Sequence, residues 1–249
     1  MSDERRRADA LGGRGFGEAA EAYVAGRPDY PAELVAWLLG DAVDVVDVGA
    51  GTGKLTAALV GGGRRVVAVE PDGGMLDALR EQVPGARALQ GAAEALPLPD
   101  ASADALLFGQ AWHWVDVAPA SAEAGRVLRP GGVLGLIWNV RDSAAAWVRA
   151  LNGLIEGSAA EEAIEQDAVR VGQHFGPLER RSTAWSRPMT VERVVAMVAS
   201  RSFVIAKEPG ERAALLDEVR ALLAGHPDTA GRERVDVPYR TTAFRARRP

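Results

Sequence analysis

Residues 45–54 constrain the fold of this chain more than any other segment. They read VVDVGAGTGK, an apolar and β-branched run that breaks into three glycines at alternate positions, and a helix-forming stretch follows. This pattern predicts a buried strand that enters a tight turn at the N-terminus of a helix. Glycine suits such a turn because it adopts positive φ and allows a ligand to lie against bare backbone.

The segment RVVAVE at 65–70 predicts a second strand, which ends in Glu70. Glu70 follows Gly49 by about 20 residues, the spacing at which an acid in a doubly wound sheet binds the hydroxyls of a ribose. A dinucleotide fingerprint that starts at Gly49 would require glycine where Lys54 stands, and a P-loop would require glycine where Val48 stands. The glycines and the acid together indicate a nucleoside cofactor. The alternative is a glycine-rich turn that binds no ligand.

Predicted strands and helices alternate between residues 43 and 139, which favours a parallel sheet with right-handed crossovers. Ligands of such sheets lie beyond the carboxyl ends of the strands. We expect a disordered N-terminus over residues 1–15 and a single domain over residues 16–249. Within that domain we expect a cofactor-binding core at about 40–140 and a helical cap with the last strands at about 141–249.

The composition excludes several classes of function. The chain has 249 residues, no cysteine and a net charge of −5. Disulfides, thiolate metal sites and a cysteine nucleophile are therefore excluded, and an acidic chain does not attract a phosphate backbone. The 3 histidines are too far apart in sequence for a local metal motif, so we expect no metal. No run approaches the roughly 18 apolar residues of a membrane span. We expect a cytoplasmic protein that binds neither nucleic acid nor membrane, in an oligomeric state that no pattern reveals.

Five motifs together resemble those of the class I S-adenosylmethionine-dependent methyltransferases of the type 11 family, in particular the branch related to trans-aconitate methyltransferases. The motifs are VDVGAGTG at 46–53, VEP at 69–71, GAAEALP at 91–97, QAWHW at 110–114 and RVLRPGG at 126–132. The resemblance implies an α/β fold with a doubly wound, seven-stranded, mostly parallel sheet, the Rossmann-like methyltransferase fold, with helical cap elements. It also implies an enzyme whose cofactor is S-adenosylmethionine.

The same resemblance implies a cofactor site at the strand ends. Glu70 would bind both ribose hydroxyls, Met75 would pack on the adenine, and the carbonyl of Gln110 would meet the amino-acid end. Arg27 would pair with the carboxylate of that end, and Ala92 stands where many relatives carry an acid or a hydroxyl for the adenine. The expected cofactor-binding residues are Tyr23, Arg27, Asp47, Gly49, Ala50, Gly51, Thr52, Gly53, Glu70, Pro71, Met75, Ala92, Ala93, Glu94, Gln110 and Ala111.

His113 is the candidate catalytic residue because, of the histidines, it alone lies at the predicted carboxyl end of a strand. Three roles are open for it: a general base near neutral pH, a hydrogen-bond donor to the substrate, or a structural histidine. The expected substrate-binding residues are Trp112, His113, Trp114, Trp138, Asn139 and Arg141. The tryptophans would line an apolar cavity for a small molecule, and their alternative is core packing. Arg141 would bind a substrate carboxylate or pair with a neighbouring acid.

The predicted function is transfer of the sulfonium methyl to an oxygen, nitrogen or carbon atom of a small molecule. The alternatives are a nucleic-acid methyltransferase and a cofactor-binding protein without catalysis. The chain lacks the [DN]-P-P-[FY] segment of exocyclic-amine methylation, with QAWH in its place, and it lacks the cysteine that methylation at cytosine C5 requires. The intact glycine motif, Glu70 and His113 argue against a protein without catalysis.

Overall fold

The structure, a computed structural model, describes residues 28–155 and 168–249. The expected disorder of residues 1–15 and the expected roles of Tyr23 and Arg27 lie outside these residues. The described residues divide into two compact units. The larger unit contains residues 29–139, 168–183 and 241–249, and the smaller unit contains residues 140–155 and 184–240.

The bounds of the strands and helices follow the predicted alternation. The strands are β1 (Asp44–Val48), β2 (Arg65–Glu70), β3 (Arg87–Gln90), β4 (Ala103–Gly109), β5 (Leu128–Arg141), β6 (Glu179–Thr190) and β7 (Arg234–Arg247). The α-helices are α1 (Ala32–Leu39), α2 (Lys54–Leu59), α3 (Gly73–Gln82), α4 (Val117–Val127), α5 (Ala146–Leu154), α6 (Val191–Ala199), α7 (Ser202–Ile205) and α8 (Pro209–Gly225). A 3₁₀ turn, Trp112–Trp114, lies between β4 and α4.

The strands form a 7-stranded sheet in the order β3-β2-β1-β4-β5-β7-β6. Strand β1 pairs in parallel with β2 and β4, β2 with β3, and β4 with β5. The order reverses at β1, because the chain moves outward to β2 and β3 and then returns to β4 on the other side. The predicted doubly wound, mostly parallel, seven-stranded sheet is therefore confirmed, and its switch point lies beside the glycine turn.

The central strands form because they are apolar on both faces, as parallel strands covered by helices must be. In β1 the four residues after Asp44 are buried, and in β4 the residues from Ala105 to Phe108 are fully buried. Asp72 is the N-cap of helix α3, and its Oδ1 accepts a hydrogen bond from the amide of Met75 at 2.8 Å. This N-cap fixes the start of α3 directly after the end of β2.

Each unit has its own apolar core. In the larger unit, helices α1 and α2 pack their buried faces on β1, β4 and β5 through residues such as Leu38, Leu59 and Leu107. In the smaller unit, α5, α6 and α8 pack together around Leu151, Val198 and related residues. The predictions of a single domain and of a cap at 141–249 stay predictions.

Candidate functional site

The glycine turn after β1 adopts the left-handed conformation that its sequence predicts. The φ angles of Gly49, Gly51 and Gly53 are 66°, 56° and 91°. The amides of Gly49 and Ala50 both donate to the carbonyl oxygen of Val69, at 2.8 and 3.2 Å. These bonds hold the turn against the end of β2, so the turn and Glu70 form one local structure.

The three glycines are required for different reasons. A Cβ on Gly49 would lie 2.7 Å from the Cβ of Ala111, and a Cβ on Gly53 would lie 2.9 Å from the side chain of Val83. A Cβ on Gly51 would meet only the Sδ of Met75, at 3.9 Å, among the described atoms within 4 Å. Protein packing therefore accounts for glycine at positions 49 and 53. At Gly51 the described residues leave space open above bare backbone, as a site for a ligand does.

Glu70 lies at the end of β2, beside the open space above Gly51. We call Gly51, Met75 and Glu70 together the cradle. The side chain of Glu70 is buried, at 6% exposure, and its two oxygens accept hydrogen bonds from backbone amides: Oε2 from Gly51 at 2.8 Å and Oε1 from Asp72 at 3.0 Å. Burial raises the pKa of the Glu70 carboxyl, and the two amide bonds oppose that rise. Each carboxylate oxygen keeps a second lone pair, so the held carboxylate can accept two further hydrogen bonds from a vicinal diol.

Asp47 lies inside β1, two residues before Gly49, and is fully buried. Its Oδ2 accepts a hydrogen bond from the hydroxyl of Thr56 at 2.6 Å, and its Oδ1 has no hydrogen-bond partner among the described residues. Burial raises the pKa of Asp47 to about 7, and the charge of Glu70 adds to the rise. Sequence reasoning missed Thr56, although its place in the first turn of the helix after the glycines was the available signal.

The segment after β3 packs tightly, and its acid has a structural partner. A Cβ on Gly91 would lie 2.7 Å from the ring of Pro97, and Ala93 is buried. The Oε1 of Glu94 accepts a hydrogen bond from the amide of Asp116, at the N-cap of α4, at 2.9 Å. The side chain of Glu94 thus links this segment to α4.

Gln110 follows β4 with φ 57°, a left-handed conformation that is rare for a residue with a side chain. Its Nε2 donates to the carbonyl oxygen of Asn139 at 2.9 Å, and its amide donates to that of Ile137 at 2.9 Å. Asn139 is itself fixed, because its Oδ1 accepts from the hydroxyl of Thr241 at 2.5 Å and its Nδ2 donates to the carbonyl oxygen of Asp29 at 3.2 Å. This network holds a strained residue at the end of β4, where such strain is characteristic of functional sites.

Lys54 has a role that the sequence did not predict. Its Nζ lies 2.6 Å from the Oδ1 of Asp29, in the segment that precedes α1. The side chain of Tyr30 lies close to Gly109, because a Cβ added to Gly109 would be 2.8 Å from the Tyr30 hydroxyl. The residue that breaks the dinucleotide fingerprint therefore ties the chain before α1 to the glycine turn.

The tryptophans after β4 and in β5 differ in exposure. Trp112 is 4% exposed, its ring packs edge-on against Phe108 at 4.7 Å, and its indole nitrogen donates to the carbonyl oxygen of Arg170 at 2.9 Å. Trp138 is 2% exposed, whereas Trp114 is 36% exposed. We expected the three tryptophans to line a cavity. Two of the three rings are packed in the interior, and of the three only Trp114 is exposed.

His113 is half-buried within the same turn. Its Nδ1 accepts a hydrogen bond from the indole nitrogen of Trp138 at 3.3 Å, and its ring lies 4.8 Å from that of Trp114. The structure therefore brings together His113, Trp114, Trp138 and, through Gln110, the end of β5.

Arg141 lies in the smaller unit and is buried. Its Nε donates to the Oδ1 of Asn152 in α5 at 2.8 Å. The neighbouring acid, Asp142, lies 3.0 Å from the guanidinium of Arg240. Asn152 is a partner that sequence spacing gave no reason to select.

Residues 28–155 and 168–249 contain no group of three or more His, Cys, Asp or Glu side chains that could hold a metal ion. No helix within those residues is both long and apolar enough to cross a membrane.

Comparisons with known proteins give a consistent result. A family model described as a methyltransferase domain, type 11, matches residues 46–136. An uncharacterized methyltransferase of Mycobacterium tuberculosis is 47% identical over 93% of this chain and 94% of its own length. An uncharacterized methyltransferase-like protein of Schizosaccharomyces pombe is 30% identical over 89% of this chain and 91% of its own. The solved structure of a candidate type II methyltransferase from Anaeromyxobacter dehalogenans matches with a TM-score of 0.66 and 27% identity, over 89% of this chain and 96% of that one.

Proposed function

The chain belongs to the class I S-adenosylmethionine-dependent methyltransferases, and from that premise we propose that it methylates a small molecule at an oxygen, nitrogen or carbon atom. The observation that carries the proposal is the cradle formed by Gly51, Met75 and Glu70. Its open backbone and its paired acceptor oxygens suit a nucleoside with a vicinal diol.

Family membership confirms four of the sequence predictions: the methyltransferase family, the Rossmann-like fold, the enzymatic class and S-adenosylmethionine as the cofactor. The branch related to trans-aconitate methyltransferases, the small-molecule substrate and the cytoplasmic location stay predictions.

The residues of the cradle fit S-adenosylmethionine on their own geometry. Glu70 is held by two amides with lone pairs to spare, so it would bind both ribose hydroxyls. The open face of Gly51 would receive the ribose and the methionyl chain, and the thioether of Met75 beside it would contact the adenine. Gln110, fixed in its strained conformation, would present its carbonyl to the amino-acid end.

Asp47 would stabilise the same ligand through charge. One of its carboxylate oxygens is buried without a partner, and its pKa is about 7. A cation nearby would favour its ionised form, and S-adenosylmethionine carries positive charge on its sulfonium and ammonium groups.

The bound cofactor supplies an electrophilic methyl group, so the protein has mainly to align the acceptor and exclude water. The turn that carries His113 and Trp114 follows β4 directly, at the same edge of the sheet as the glycine turn. Trp114 offers an exposed apolar face to a substrate, and His113 offers a polar contact beside it. This combination of an apolar surface with few polar groups is typical of small-molecule sites.

A nucleic-acid substrate is the second candidate, and the charge of the chain disfavours it. The net charge is −5, whereas proteins that bind a phosphate backbone present a basic surface. The QAWH sequence after β4 also differs from the segment used for exocyclic-amine methylation.

The test is a methyl-transfer assay with labelled S-adenosylmethionine against separate panels of small phenols, amines, acids and carbon nucleophiles, and against DNA and RNA. We expect transfer to at least one small-molecule class and none to nucleic acid. We expect Glu70→Ala to reduce that transfer when the cofactor concentration is below saturation. Transfer to DNA or RNA alone would overturn the small-molecule proposal.

A further inference from the structure

Asn139 lies near the end of β5 and is buried, at 8% exposure. The orientation of its side-chain amide follows from its two neighbours. The carbonyl oxygen of Asp29, 3.2 Å away, can only accept, so the amide nitrogen of Asn139 must face it. The Oδ1 then faces Thr241, whose hydroxyl donates to it at 2.5 Å. Both ends of this amide are therefore engaged by the protein.

The backbone of Asn139 receives the side chain of Gln110. The Nε2 of Gln110 donates to the carbonyl oxygen of Asn139 at 2.9 Å, and the amide of Gln110 donates to the carbonyl oxygen of Ile137 at 2.9 Å. The φ of Gln110, 57°, strains a residue that has a Cβ, whereas glycine adopts it freely. Such a conformation persists only where the surrounding contacts determine it. The two hydrogen bonds to β5 are contacts of this kind.

Asp29 extends the same contacts to the glycine turn. Its carbonyl accepts from Asn139, and its carboxylate pairs at 2.6 Å with Lys54, which begins α2 directly after Gly53. The end of β4, β5, the segment before α1 and the glycine turn are thus joined through one series of polar contacts. Asn139 is the member of the series that contacts both Gln110 and Asp29.

We propose that Asn139 is a positioning residue for the amino-acid end of S-adenosylmethionine and not a ligand of the methyl acceptor. Without its amide, the carbonyl of Asp29 and the buried hydroxyl of Thr241 each lose a hydrogen bond, so the groups at this end of β5 shift. The carbonyl that receives Gln110 shifts with them, and the strained conformation is no longer held. The assignment rests on the proposed function, in which the backbone carbonyl of Gln110 meets the amino-acid end.

The nucleoside end of the cofactor depends on other contacts. Glu70, which would bind the ribose, is held by the backbone amides of Gly51 and Asp72. Loss of the Asn139 amide should therefore weaken the binding of ligands that have an amino-acid end and spare the binding of those that lack one.

Isothermal titration with two ligands separates the two ends. S-adenosylmethionine has both, whereas methylthioadenosine has the nucleoside and a thioether but no amino-acid end. Asn139→Leu keeps the branched shape of the side chain without the amide. It should raise the Kd of S-adenosylmethionine roughly 3- to 10-fold, the effect of about one lost hydrogen bond, and leave the Kd of methylthioadenosine within about twofold. Glu70→Ala should raise both Kd values, because both ligands carry the ribose diol.

Thr241→Val removes the hydroxyl that donates to Asn139 and should change the two Kd values in the same way, with little change in volume. Ser121→Ala is the matched control. The hydroxyl of Ser121 in α4 is also fully buried, and it accepts a hydrogen bond from the amide of Gly172 at 2.9 Å. Its removal should lower the melting temperature and leave both Kd values unchanged.

Two variants of Gln110 test the backbone conformation. Gln110→Leu removes the donor to Asn139 and keeps the strain of a positive φ, so it should weaken S-adenosylmethionine as Asn139→Leu does. Gln110→Gly also removes the donor, but glycine adopts this φ without strain. It should therefore recover most of the affinity that Gln110→Leu loses.

Three results would overturn the proposal, in variants whose thermal unfolding shows that they are folded. Asn139→Leu and Thr241→Val could weaken both ligands equally, or they could leave the Kd of S-adenosylmethionine at the wild-type value. Gln110→Gly could bind S-adenosylmethionine as weakly as Gln110→Leu does. The titrations need no methyl acceptor, so each of these failures is distinguishable from failure of the proposed small-molecule activity.

Discussion

Replacement of Asp47 by asparagine should make the protein more stable at neutral pH and less sensitive to pH. Asp47 is fully buried, and burial raises its pKa from 3.8 to about 7. Between those two values the folded protein binds a proton that the unfolded chain has released, so the free energy of unfolding falls as the pH rises. Each pKa unit corresponds to about 1.4 kcal/mol. The rise from 3.8 to about 7 therefore corresponds to a loss of about 4 kcal/mol by pH 8.

The measurement is urea unfolding of the wild type and Asp47→Asn from pH 5 to pH 8, without cofactor. The free energy of unfolding of the wild type, relative to that of the variant, should fall across this range. Only the wild type must take up a proton, or bury an ionised carboxylate, when it folds. Asp44→Asn is the matched control at the other end of β1. The hydrogen bond from Arg65 lowers the pKa of Asp44, so its ionisation is complete below this range. If the difference in free energy of unfolding between wild type and Asp47→Asn stayed constant from pH 5 to pH 8, the pKa of Asp47 would not be raised by folding.

Two further predictions concern the glycine turn. Gly51→Val should abolish binding of S-adenosylmethionine in calorimetry, because its side chain enters the open cradle, while the melting temperature without cofactor falls only by the cost of a strained φ. Gly53→Val, whose side chain would meet Val83, should lower the melting temperature more, and retained cofactor binding in Gly51→Val would contradict the cradle. Lys54→Ala removes the ion pair with the largely exposed Asp29, so urea unfolding should show a loss below about 1 kcal/mol. A loss of several kcal/mol would show that the pair has a larger structural role than its exposure indicates.

The geometry of the glycine turn and of Glu70 was predictable from the sequence because its parts are local. The glycine turn, the strand that precedes it and the acid at the end of β2 each follow from a short pattern, and parallel pairing of adjacent strands places Glu70 beside Gly51. The backbone alone decides most of that geometry. For this reason the expected fold and the expected position of Glu70 needed no knowledge of distant side chains.

The surroundings of the residues predicted to bind substrate were harder to predict, because they depend on side-chain direction and on contacts between distant residues. Trp112 and Trp138 are at the expected strand ends, but their rings turn into the interior. The bond from Trp138 to His113 joins residues 25 positions apart. The pair of Lys54 with Asp29 is equally non-local. No periodicity in the sequence encodes such contacts.

Isothermal titration of S-adenosylmethionine into the protein tests whether Glu70 anchors the cofactor. Glu70→Ala leaves two ribose hydroxyls without their shared acceptor, which should weaken binding by about 1.5–3 kcal/mol, the range for hydrogen bonds to charged groups. The expected rise in Kd is roughly 10- to 150-fold, in a variant whose thermal unfolding shows that it is folded. An unchanged Kd in folded Glu70→Ala, or tighter binding of NADH than of S-adenosylmethionine by the wild type, would contradict the account.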